Sequence, residues 1–256
     1  MEKWALITGS SSGIGKAISY ELAKKNYSII LHGRNTEILH SIAADIEDCY
    51  KVQTKVINVD LSEDNAIETI LTLTEYQNIE VLVNNAGFGV AGAYNATDIE
   101  AELKMVKVHV TAPMYLIKSF ANKMKNNGKG HILNVSSLYS YFSVPKQAIY
   151  GASKAFQHSF SKALNEELKT QGIHVSSLCP GLTYSKFRTR QGKKEKKYLI
   201  GMTSEEVAKI AVKGLFKKKV SIVPGIFNKF MAFTIPKLPD RLALVIIHKM
   251  NKGRGF

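Results

Sequence analysis

Short apolar runs alternate with longer amphipathic stretches along most of the chain. The first run, Ala5-Leu6-Ile7, is followed by an amphipathic segment covering residues 14 to about 25. The alternation continues, and the later apolar runs cover residues 28–31, 56–59, 81–83, 131–135 and 174–178. Strand-length runs separated by helix-length segments predict βαβ units and a parallel sheet. Because helices must cover both faces of such a sheet, we expect an α/β, doubly wound (Rossmann-type) fold.

The pattern changes in the last quarter of the chain. Residues 186–197 are dense in Lys and Arg and predict a basic surface loop. Two apolar pieces follow, at residues 226–235 and 242–250, and both are too short to span a bilayer. They are expected to pack over a substrate cleft or against another subunit. The alternative is that their apolar faces, flanked by Lys, lie on a membrane surface.

Composition narrows the class of protein without choosing a function. The 256 residues are 45% hydrophobic, which is enough for one α/β domain, and 22% charged, which argues against disorder. The formal charge of +14 favours anionic partners such as nucleotide phosphates or an anionic membrane. Cys49 and Cys179 lie far apart, and no secretory signal is visible at the N-terminus, so a cytoplasmic protein is expected.

A glycine-rich turn joins the first predicted strand to the first predicted helix. Glycines at this place allow a tight turn and close approach of a pyrophosphate, and the helix directs its free N–H groups at the phosphates. The position between strand and helix is the context that a dinucleotide-binding motif requires. The candidate cofactor-binding residues in this turn are Gly9, Ser11, Ser12, Gly13, Ile14 and Gly15.

The end of the second predicted strand bears on the choice of dinucleotide. An NAD site usually places Asp or Glu there to bind the ribose 2′-hydroxyl. This chain has His32-Gly33-Arg34-Asn35-Thr36 and no carboxylate. The planar, permanently charged guanidinium of Arg34 suits a 2′-phosphate, so NADP (NADPH) is predicted as the cofactor. The alternative is that Arg34 is a solvated loop residue and that either dinucleotide binds.

Tyr150 and Lys154 are candidates for an acid/base pair. Their i, i+4 spacing on a predicted helix places both side chains on one face. A tyrosine pKa near 10 must be lowered for proton exchange at neutral pH, and a nearby ammonium group together with an oxidised nicotinamide would lower it. Ser137 lies thirteen residues earlier, after the 131–135 run, and its hydroxyl is placed to bind a substrate oxygen.

Together these residues resemble the short-chain dehydrogenase/reductase family, in its branch with a single Rossmann domain. Residues 1 to about 190 carry the resemblance, through the 8–15 turn, Asp60-Leu61, Asn84-Asn85-Ala86-Gly87, the Ser137/Tyr150/Lys154 set and Pro180-Gly181. The resemblance implies an oxidoreductase that transfers a hydride between NADPH and a carbonyl or alcohol, with Tyr150 as general acid/base. It also implies a homo-oligomer, because the tyrosine helix commonly packs between subunits.

The resemblance assigns further residues to the cofactor. Asp60, followed by Leu61, would contact the adenine, and Asn85, Ala86 and Gly87 would lie beside the ribose. Pro180 and Gly181 would lie against the nicotinamide, and Ser185 would bind its carboxamide. Lys154 would bind the nicotinamide ribose as well as acting on Tyr150.

His109 departs from the family pattern. The family usually has Asn at this position, where it anchors a water that links the lysine to solvent. A neutral imidazole accepts one hydrogen bond and donates another, so His109 is a candidate for holding the same water. The alternative is an altered relay, since a protonated ring would place a second cation near Lys154. A substitute relay predicts that His109→Asn retains or raises turnover and flattens any acidic limb of the pH profile.

The remaining expectations concern partners and alternatives. His131, His158 and His174 lack ligands at metal-binding spacing, so no metal is predicted. No nucleic-acid motif accompanies the positive charge, so no nucleic-acid partner is expected. Phe156, Phe160 and Leu164 are expected in the core or a subunit interface. The substrate is expected to be a hydrophobic carbonyl compound, and a non-catalytic NADP-binding regulator is the alternative function.

Overall fold

Parallel strands form the centre of the structure, a computed structural model that describes residues 2–184 and 201–253, with backbone alone for the last two. Seven strands form one sheet in the order β3-β2-β1-β4-β5-β6-β9, and every pair is parallel. The described strands are β1 (Trp4–Thr8), β2 (Ser28–Gly33), β3 (Thr54–Asn58), β4 (Ile79–Asn84), β5 (Gly130–Val135), β6 (Ile173–Leu178), β7 (Thr183–Tyr184), β8 (Met202–Thr203) and β9 (Ser221–Ile222).

Helices connect the strands and cover the sheet. In the described ranges they are α1 (Gly13–Ala23), α2 (Thr36–Tyr50), α3 (Ala66–Leu73), α4 (Ile99–Val106), α5 (Ala112–Asn126), α6 (Ala148–Leu168), α7 (Ser204–Phe216), α8 (Ile226–Thr234) and α9 (Asp240–Gly253). Local chemistry sets several of their ends. Asn35 accepts a hydrogen bond from the Ile38 N–H at 2.9 Å and caps α2. Thr203 and Glu206 form a reciprocal capping box at the start of α7.

Two apolar layers hold the helices against opposite faces of the sheet. On one face, α1, α2 and α7 bury residues such as Ile18, Leu39 and Leu215 against the strands. On the other face, α3 and α5 bury Ile70 and Phe120. The strands β1, β2, β4, β5 and β6 are buried along their whole lengths except at Glu80. This explains why they read as continuous apolar runs rather than as alternating patterns.

The two C-terminal helices form a third apolar cluster. Met231 and Ile235 from the α8 region and Ile247 from α9 pack with Leu138 and Val144, which follow β5. Tyr139 donates a hydrogen bond to Asn251 Oδ1 at 2.7 Å and ties α9 to the same loop. The C-terminal section therefore lies over the segment that follows β5.

The doubly wound fold predicted from the pattern is confirmed. The strand order changes direction between β1 and β4, because the chain winds outward through β2 and β3 and then returns to add β4 beside β1. The carboxyl ends of strands at such a switch point leave a crevice in which ligands bind. No helix in the described ranges is long and apolar enough to cross a membrane. The predicted basic loop at residues 186–197 lies outside the described residues.

Candidate active site

One cleft runs along the carboxyl ends of the central strands, and most of the predicted site residues line it. It begins at the turn between β1 and α1 and ends beside β5 and α6. The predicted residues on its walls are Gly9, Ser11, Ser12, Gly13, Ile14, Arg34, Asp60, Leu61, Asn85, Ala86, Gly87, Ser137, Tyr150, Lys154, Pro180 and Gly181. Gly15 and His109 lie behind the cleft wall, and Ser185 lies outside the described residues.

The glycine-rich turn is built against Asn85. The Asn85 side chain donates to the main-chain oxygens of Thr8 at 2.9 Å and Gly9 at 3.0 Å. Gly9 has φ +68°, and a Cβ there would lie 2.8 Å from Ala86 Cα. A Cβ on Gly15 would lie 2.4 Å from the Gly9 oxygen. The glycines therefore allow the first turn of α1 to pack against β4, with its N–H groups at the cleft.

This end of the cleft fits a dinucleotide. The N-terminus of α1 carries the positive end of the helix dipole, which stabilises a phosphate group. Gly13, with φ +60°, and Ile14 belong to this first turn and line the cleft. A wall with two glycines beside a helix N-terminus is the arrangement that a pyrophosphate needs.

Arg34 and Asp60 lie together at the far end of the same cleft. Arg34 Nη1 is 3.1 Å from Asp60 Oδ2, and about two thirds of the Arg34 side chain is exposed. Burial would raise the pKa of Asp60, but hydrogen bonds from Ser62 and Arg34 outweigh it and hold the pKa below its usual value. Arg34 is thus held at this end of the cleft, and its exposed guanidinium is accessible to an anion.

Ser137, Tyr150 and Lys154 meet at the other end of the cleft. Ser137 follows β5 and begins a short 3₁₀ turn, whose Tyr139 N–H donates to Ser137 Oγ at 3.1 Å. Tyr150 and Lys154 lie on successive turns of α6, and Lys154 Nζ is 5.8 Å from the centre of the Tyr150 ring. The structure therefore brings together the three residues that the sequence separates by seventeen positions.

Burial dominates the protonation of Tyr150. It raises the pKa of the phenol well above 10, and a hydrogen bond with Ser137 acts in the lowering direction but is the smaller effect. This direction differs from the lowered pKa expected from Lys154. The reason is that Lys154 directs its ammonium group to other partners, while the phenol is enclosed. The phenol of Tyr150 is consequently protonated throughout the neutral range.

Lys154 is buried among carbonyl oxygens. Its Nζ donates to Val135 O at 3.0 Å and to Gln157 Oε1 at 2.9 Å. Burial lowers its pKa from 10.5 to about 7, and Cys179 shifts it weakly upward. Because the pKa falls near neutrality, the charge of Lys154 is sensitive to small changes in its surroundings.

His109 occupies the position predicted from the resemblance, but both of its ring nitrogens contact the protein. Nε2 accepts a hydrogen bond from Phe88 N at 3.2 Å, and Nδ1 lies 2.9 Å from Ser153 Oγ. Since Ser153 Oγ donates to Tyr150 O at 2.8 Å, the proton of a neutral ring is assigned to Nδ1. Burial and the charge of Lys154 keep the pKa of His109 well below 6.5. In this geometry an acidic limb near pH 6.5 would not come from His109.

Gly87 makes room for this histidine. A Cβ on Gly87 would lie 2.6 Å from His109 Nε2. The ring therefore packs behind the Asn-Asn-Ala-Gly segment and meets the Tyr150 ring edge-on, with 5.7 Å between ring centres. His109 supports the wall that carries Tyr150 instead of facing the cleft.

Several residues at the site were missed from the sequence. Gln157 binds Lys154 from the next turn of α6, and its place three residues after the lysine was the available signal. Tyr139 and Gln147 line the cleft, and the Tyr139 and Tyr150 rings are edge-on at 6.4 Å. Gln147 is buried, and its Oε1 has no hydrogen-bond partner among the described residues. No motif marks these positions, because loop geometry determines which side chains reach the substrate end.

Comparison with known proteins identifies the relatives of this chain. The sequence pattern of the short chain dehydrogenase family matches residues 3–196. An uncharacterized oxidoreductase of Staphylococcus saprophyticus is 33% identical over 183 residues, covering 71% of this chain and 78% of that protein. The very-long-chain 3-oxoacyl-CoA reductase of Macaca fascicularis is 31% identical over 257 residues, covering 98% of this chain and 80% of the reductase.

Solved structures agree with the sequence relatives. A short-chain dehydrogenase from Sphingobium yanoikuyae, in complex with NADPH, superposes with a TM-score of 0.83 at 27% identity and covers 88% of both chains. A structure described in a study of 7beta-hydroxysteroid dehydrogenase stereoselectivity superposes with a TM-score of 0.89 at 25% identity, over 96% of both chains. The predictions of family and of an oxidoreductase are confirmed, and the NADPH-bound neighbour agrees with the predicted cofactor class.

Proposed function

The chain belongs to the short-chain dehydrogenase family, and we propose that it reduces a hydrophobic carbonyl compound with NADPH. One observation carries the proposal. Ser137, Tyr150 and Lys154 lie together at one end of a cleft whose other end is the glycine-rich turn and Arg34. A bound dinucleotide extending from Arg34 along the turn would end beside Tyr150.

The residues of the chain divide the cofactor between them. Arg34 would bind the 2′-phosphate, and the N-terminus of α1 would bind the pyrophosphate. Asp60 and Leu61 would lie at the adenine, Asn85, Ala86 and Gly87 at the ribose, and Pro180 and Gly181 at the nicotinamide. When bound, the reduced nicotinamide supplies a hydride to the carbonyl carbon.

Tyr150 and Ser137 act on the carbonyl oxygen. Ser137 donates a hydrogen bond that orients the oxygen and stabilises the charge that develops on it. Tyr150 transfers its phenolic proton to the same oxygen, so that hydride and proton together give the alcohol. The raised pKa of Tyr150 keeps the phenol protonated before the reaction, which suits reduction rather than oxidation.

Lys154 stabilises the phenolate that remains on Tyr150 after proton transfer. Its Nζ already donates to one main-chain acceptor, Val135 O, and to one side-chain acceptor, Gln157 Oε1. The remaining N–H of Lys154 would bind the nicotinamide ribose. A cation within about 6 Å lowers the cost of the phenolate by electrostatic attraction. The charge of Lys154 therefore supports the transition state without touching the substrate.

The substrate end of the cleft is mainly apolar. Phe88, Leu138 and Leu182 line it together with Tyr139. The reductase relative acts on very-long-chain 3-oxoacyl-CoA, and the structural neighbour was studied as a hydroxysteroid dehydrogenase. Both names describe bulky, apolar carbonyl or alcohol compounds. We therefore propose a substrate in which a ketone is carried on a long acyl chain or a steroid-like ring system.

A substrate panel tests the proposed function. Purified protein is incubated with NADPH or NADH and with 3-oxoacyl thioesters of increasing chain length, steroid ketones and small water-soluble aldehydes. We expect NADPH consumption that rises with the apolar surface of the ketone and is slower with NADH. Tight NADPH binding without turnover on every compound would favour the non-catalytic regulator instead.

Exposed apolar side chains on α4, α5 and α6 support a homo-oligomer. Ile99 and Leu103 on α4 and Tyr115 on α5 are more than half exposed. On α6, Phe156 stacks on Phe160 with 5.3 Å between ring centres and is itself 37% exposed. We expect the protein to sediment as a dimer or tetramer, and Leu103→Glu with Phe156→Glu to shift it toward monomer.

The outer face of α8 supports contact with an anionic membrane surface. Ile226, Phe230 and Phe233 share one side of the helix and are 88%, 64% and 66% exposed. On the opposite side, Met231 is buried against the loop that follows β5. Lys229 and Lys237 accompany this face, and α8 contains no acidic residue. An apolar helix face with flanking cations is the pattern of interfacial helices.

Vesicle sedimentation tests this contact. We expect the protein to bind vesicles containing anionic phospholipid and to bind pure phosphatidylcholine vesicles weakly. Phe230→Glu with Phe233→Glu should remove binding, while Tyr76→Glu, at a 90% exposed aromatic residue remote from α8, should not. Equal binding by both variants would dispose of the contact.

A further inference from the structure

Gln157 connects Lys154 to the backbone of His109, which lies behind the cleft wall. It is 2% exposed and lies three residues after the lysine on α6. Its Oε1 accepts a hydrogen bond from Lys154 Nζ at 2.9 Å, and its Nε2 donates to His109 O at 2.8 Å. Both ends of the amide are therefore engaged, and their donor and acceptor roles are fixed by their partners.

The His109 oxygen is available because the helix is irregular at this point. Residues Lys107–Thr111 form a π-helical turn between α4 and α5. Such a turn widens the backbone ladder and leaves a carbonyl that side chains from a neighbouring helix satisfy, and π turns occur often at functional sites. The Gln157 amide fills that role and occupies the space between the π turn and Lys154.

We propose that Gln157 is a positioning residue that holds Lys154 in its reactive place and closes the route to the lysine from the His109 side. The inference rests on the proposed function, in which Lys154 supports the phenolate of Tyr150. Two of the three N–H groups of Lys154 are bound to Val135 O and Gln157 Oε1, which leaves one for the cleft.

A primary amide does not gain or lose protons at neutral pH, so it does not pass them on as a water chain would. Gln157 and the ring of His109 are both bonded to protein groups, and within the described part of the chain no titrating acceptor lies between Lys154 and the π turn other than the His109 ring, which is neutral at neutral pH. Protons lost by Lys154 are therefore replaced from the cleft side. This arrangement differs from the sequence-based expectation that His109 holds a water linking Lys154 to solvent.

Gln157 also sets the charge of Lys154. The titratable groups that face the lysine are Tyr150 on α6, His109 on the π turn and Cys179 after β6. Tyr150 and His109 are neutral at neutral pH, so the oxygens of Gln157 and Val135 are the main groups that stabilise the ammonium form against burial. A hydrogen bond to the charged form raises the pKa of a lysine.

Two variants with opposite expected effects test the proposal. Gln157→Met keeps the shape of the side chain but removes the acceptor, so the pKa of Lys154 should fall by about half a unit or more. Gln157→Glu places a negative charge beside Lys154, so the pKa of Lys154 should rise by about one unit or more. The matched control is Asn165→Asp, the same chemical change at a buried site two turns further along α6, where Asn165 binds Val175 N. It should leave Lys154 unaffected.

Two readouts separate this inference from the proposed function. Carbon NMR of lysine-labelled protein, without added cofactor, follows the Cε titration of Lys154, which is assigned by its loss in Lys154→Met. The alkaline limb of kcat/KM for NADPH-dependent reduction should move in the same direction in each variant. If no carbonyl compound is reduced, the NMR titration still tests Gln157. Shifts of the same sign in both variants, or no shift in either, would overturn the proposal.

Discussion

Arg34 and Asp60 show how a single side chain bears on cofactor choice. The guanidinium of Arg34 is mostly exposed and is held at its end of the cleft by an ion pair with Asp60 at 3.1 Å. Exposed ion pairs contribute little to stability, so Arg34 is free to exchange its partner for a phosphate at small cost. Its position therefore matters more for binding than for folding.

Replacing Arg34 should change cofactor affinity selectively. We expect Arg34→Glu to raise the Kd for NADPH about 10- to 100-fold, the range for losing charged hydrogen bonds, and to leave the Kd for NADH nearly unchanged. Fluorescence titration measures both constants. Lys51→Glu, the same charge change at an exposed residue after α2, is the control and should alter neither. If Arg34→Glu raised the Kd for NADPH and the Kd for NADH by the same factor, the result would count against a contact with the 2′-phosphate.

At this scale the sequence predicts residues that belong to motifs and misses those that depend on packing. Ser137, Tyr150 and Lys154 could be predicted because strand ends and helical spacing restrict where they lie. Gln157 could not, because its role depends on the carbonyl exposed by the π turn at His109. The raised pKa of Tyr150 could not be foreseen either, since it follows from burial by loops that carry no motif.

The contact between α1 and β4 determines the shape of the phosphate end. Gly15 lies where the helix crosses the Asn85 segment, and a Cβ there would lie 2.3 Å from Asn85 Nδ2 and 2.4 Å from Gly9 O. The second of these atoms belongs to the backbone and cannot rotate away. The close approach of the helix to the strand therefore requires glycine at this position.

Gly15→Ala should damage both folding and binding. We expect the free energy of unfolding to fall by about 1–3 kcal/mol, as for other forced insertions into packed regions, and NADPH affinity to fall with it. The comparison variant is Gly151→Ala in α6, where the new methyl would lie an ordinary 3.5 Å from Val144. That change should be neutral or stabilising by up to about 1 kcal/mol. Urea unfolding measures the stability of both variants. If Gly15→Ala were as stable as Gly151→Ala, the turn would have relaxed to make room for the methyl group, and glycine would not be required at position 15.

Elements were predicted well where the apolar pattern is continuous. The strands β1 to β6 and the helix α1 coincide with the predicted segments within a few residues. The two-residue strands β7, β8 and β9 are too short to produce a pattern. The apolar pieces at the C-terminus were recognised, and the structure shows that they pack over the loop after β5 on one side.

Across the whole molecule, buried histidines link stability to pH. His32, His131 and His158 have pKa values lowered by burial to about 4, and burial together with the charge of Lys154 holds the pKa of His109 well below 6.5. Between about pH 6.5 and 4, the unfolded chain therefore binds protons at these sites that the folded chain does not. Stability is fully present above pH 6.5 and falls on acidification, by about 1.4 kcal/mol per pH unit for each histidine.

Removing one of these histidines should reduce that slope. We expect His158→Gln to lower the dependence of the unfolding free energy on pH between 6.5 and 5 by about 1 kcal/mol per unit, because the unfolded ring is only half protonated at pH 6.5. His40→Gln, at an exposed position on α2, should leave the slope unchanged. The measurement is urea unfolding at several pH values. An unaltered slope in His158→Gln would show that its ring is protonated in the folded state.

The doubly wound topology and the family could both be predicted from the sequence, because the strand–helix alternation and the motifs extend over most of the chain. The substrate class could not, because the walls of the substrate end come from loops and C-terminal helices whose shape depends on packing. What the structure adds is the convergence of Ser137, Tyr150 and Lys154 at one end of the cleft that begins at the glycine-rich turn.

The most direct test of that convergence is the turnover of Tyr150→Phe with saturating NADPH and the best ketone of the substrate panel. The loss of the proton donor should reduce kcat by about 100- to 10,000-fold, the range typical of general acid catalysis, while the Kd for NADPH changes by no more than about threefold. Turnover by Tyr150→Phe within tenfold of the unaltered protein would contradict the assignment of Tyr150 as the proton donor.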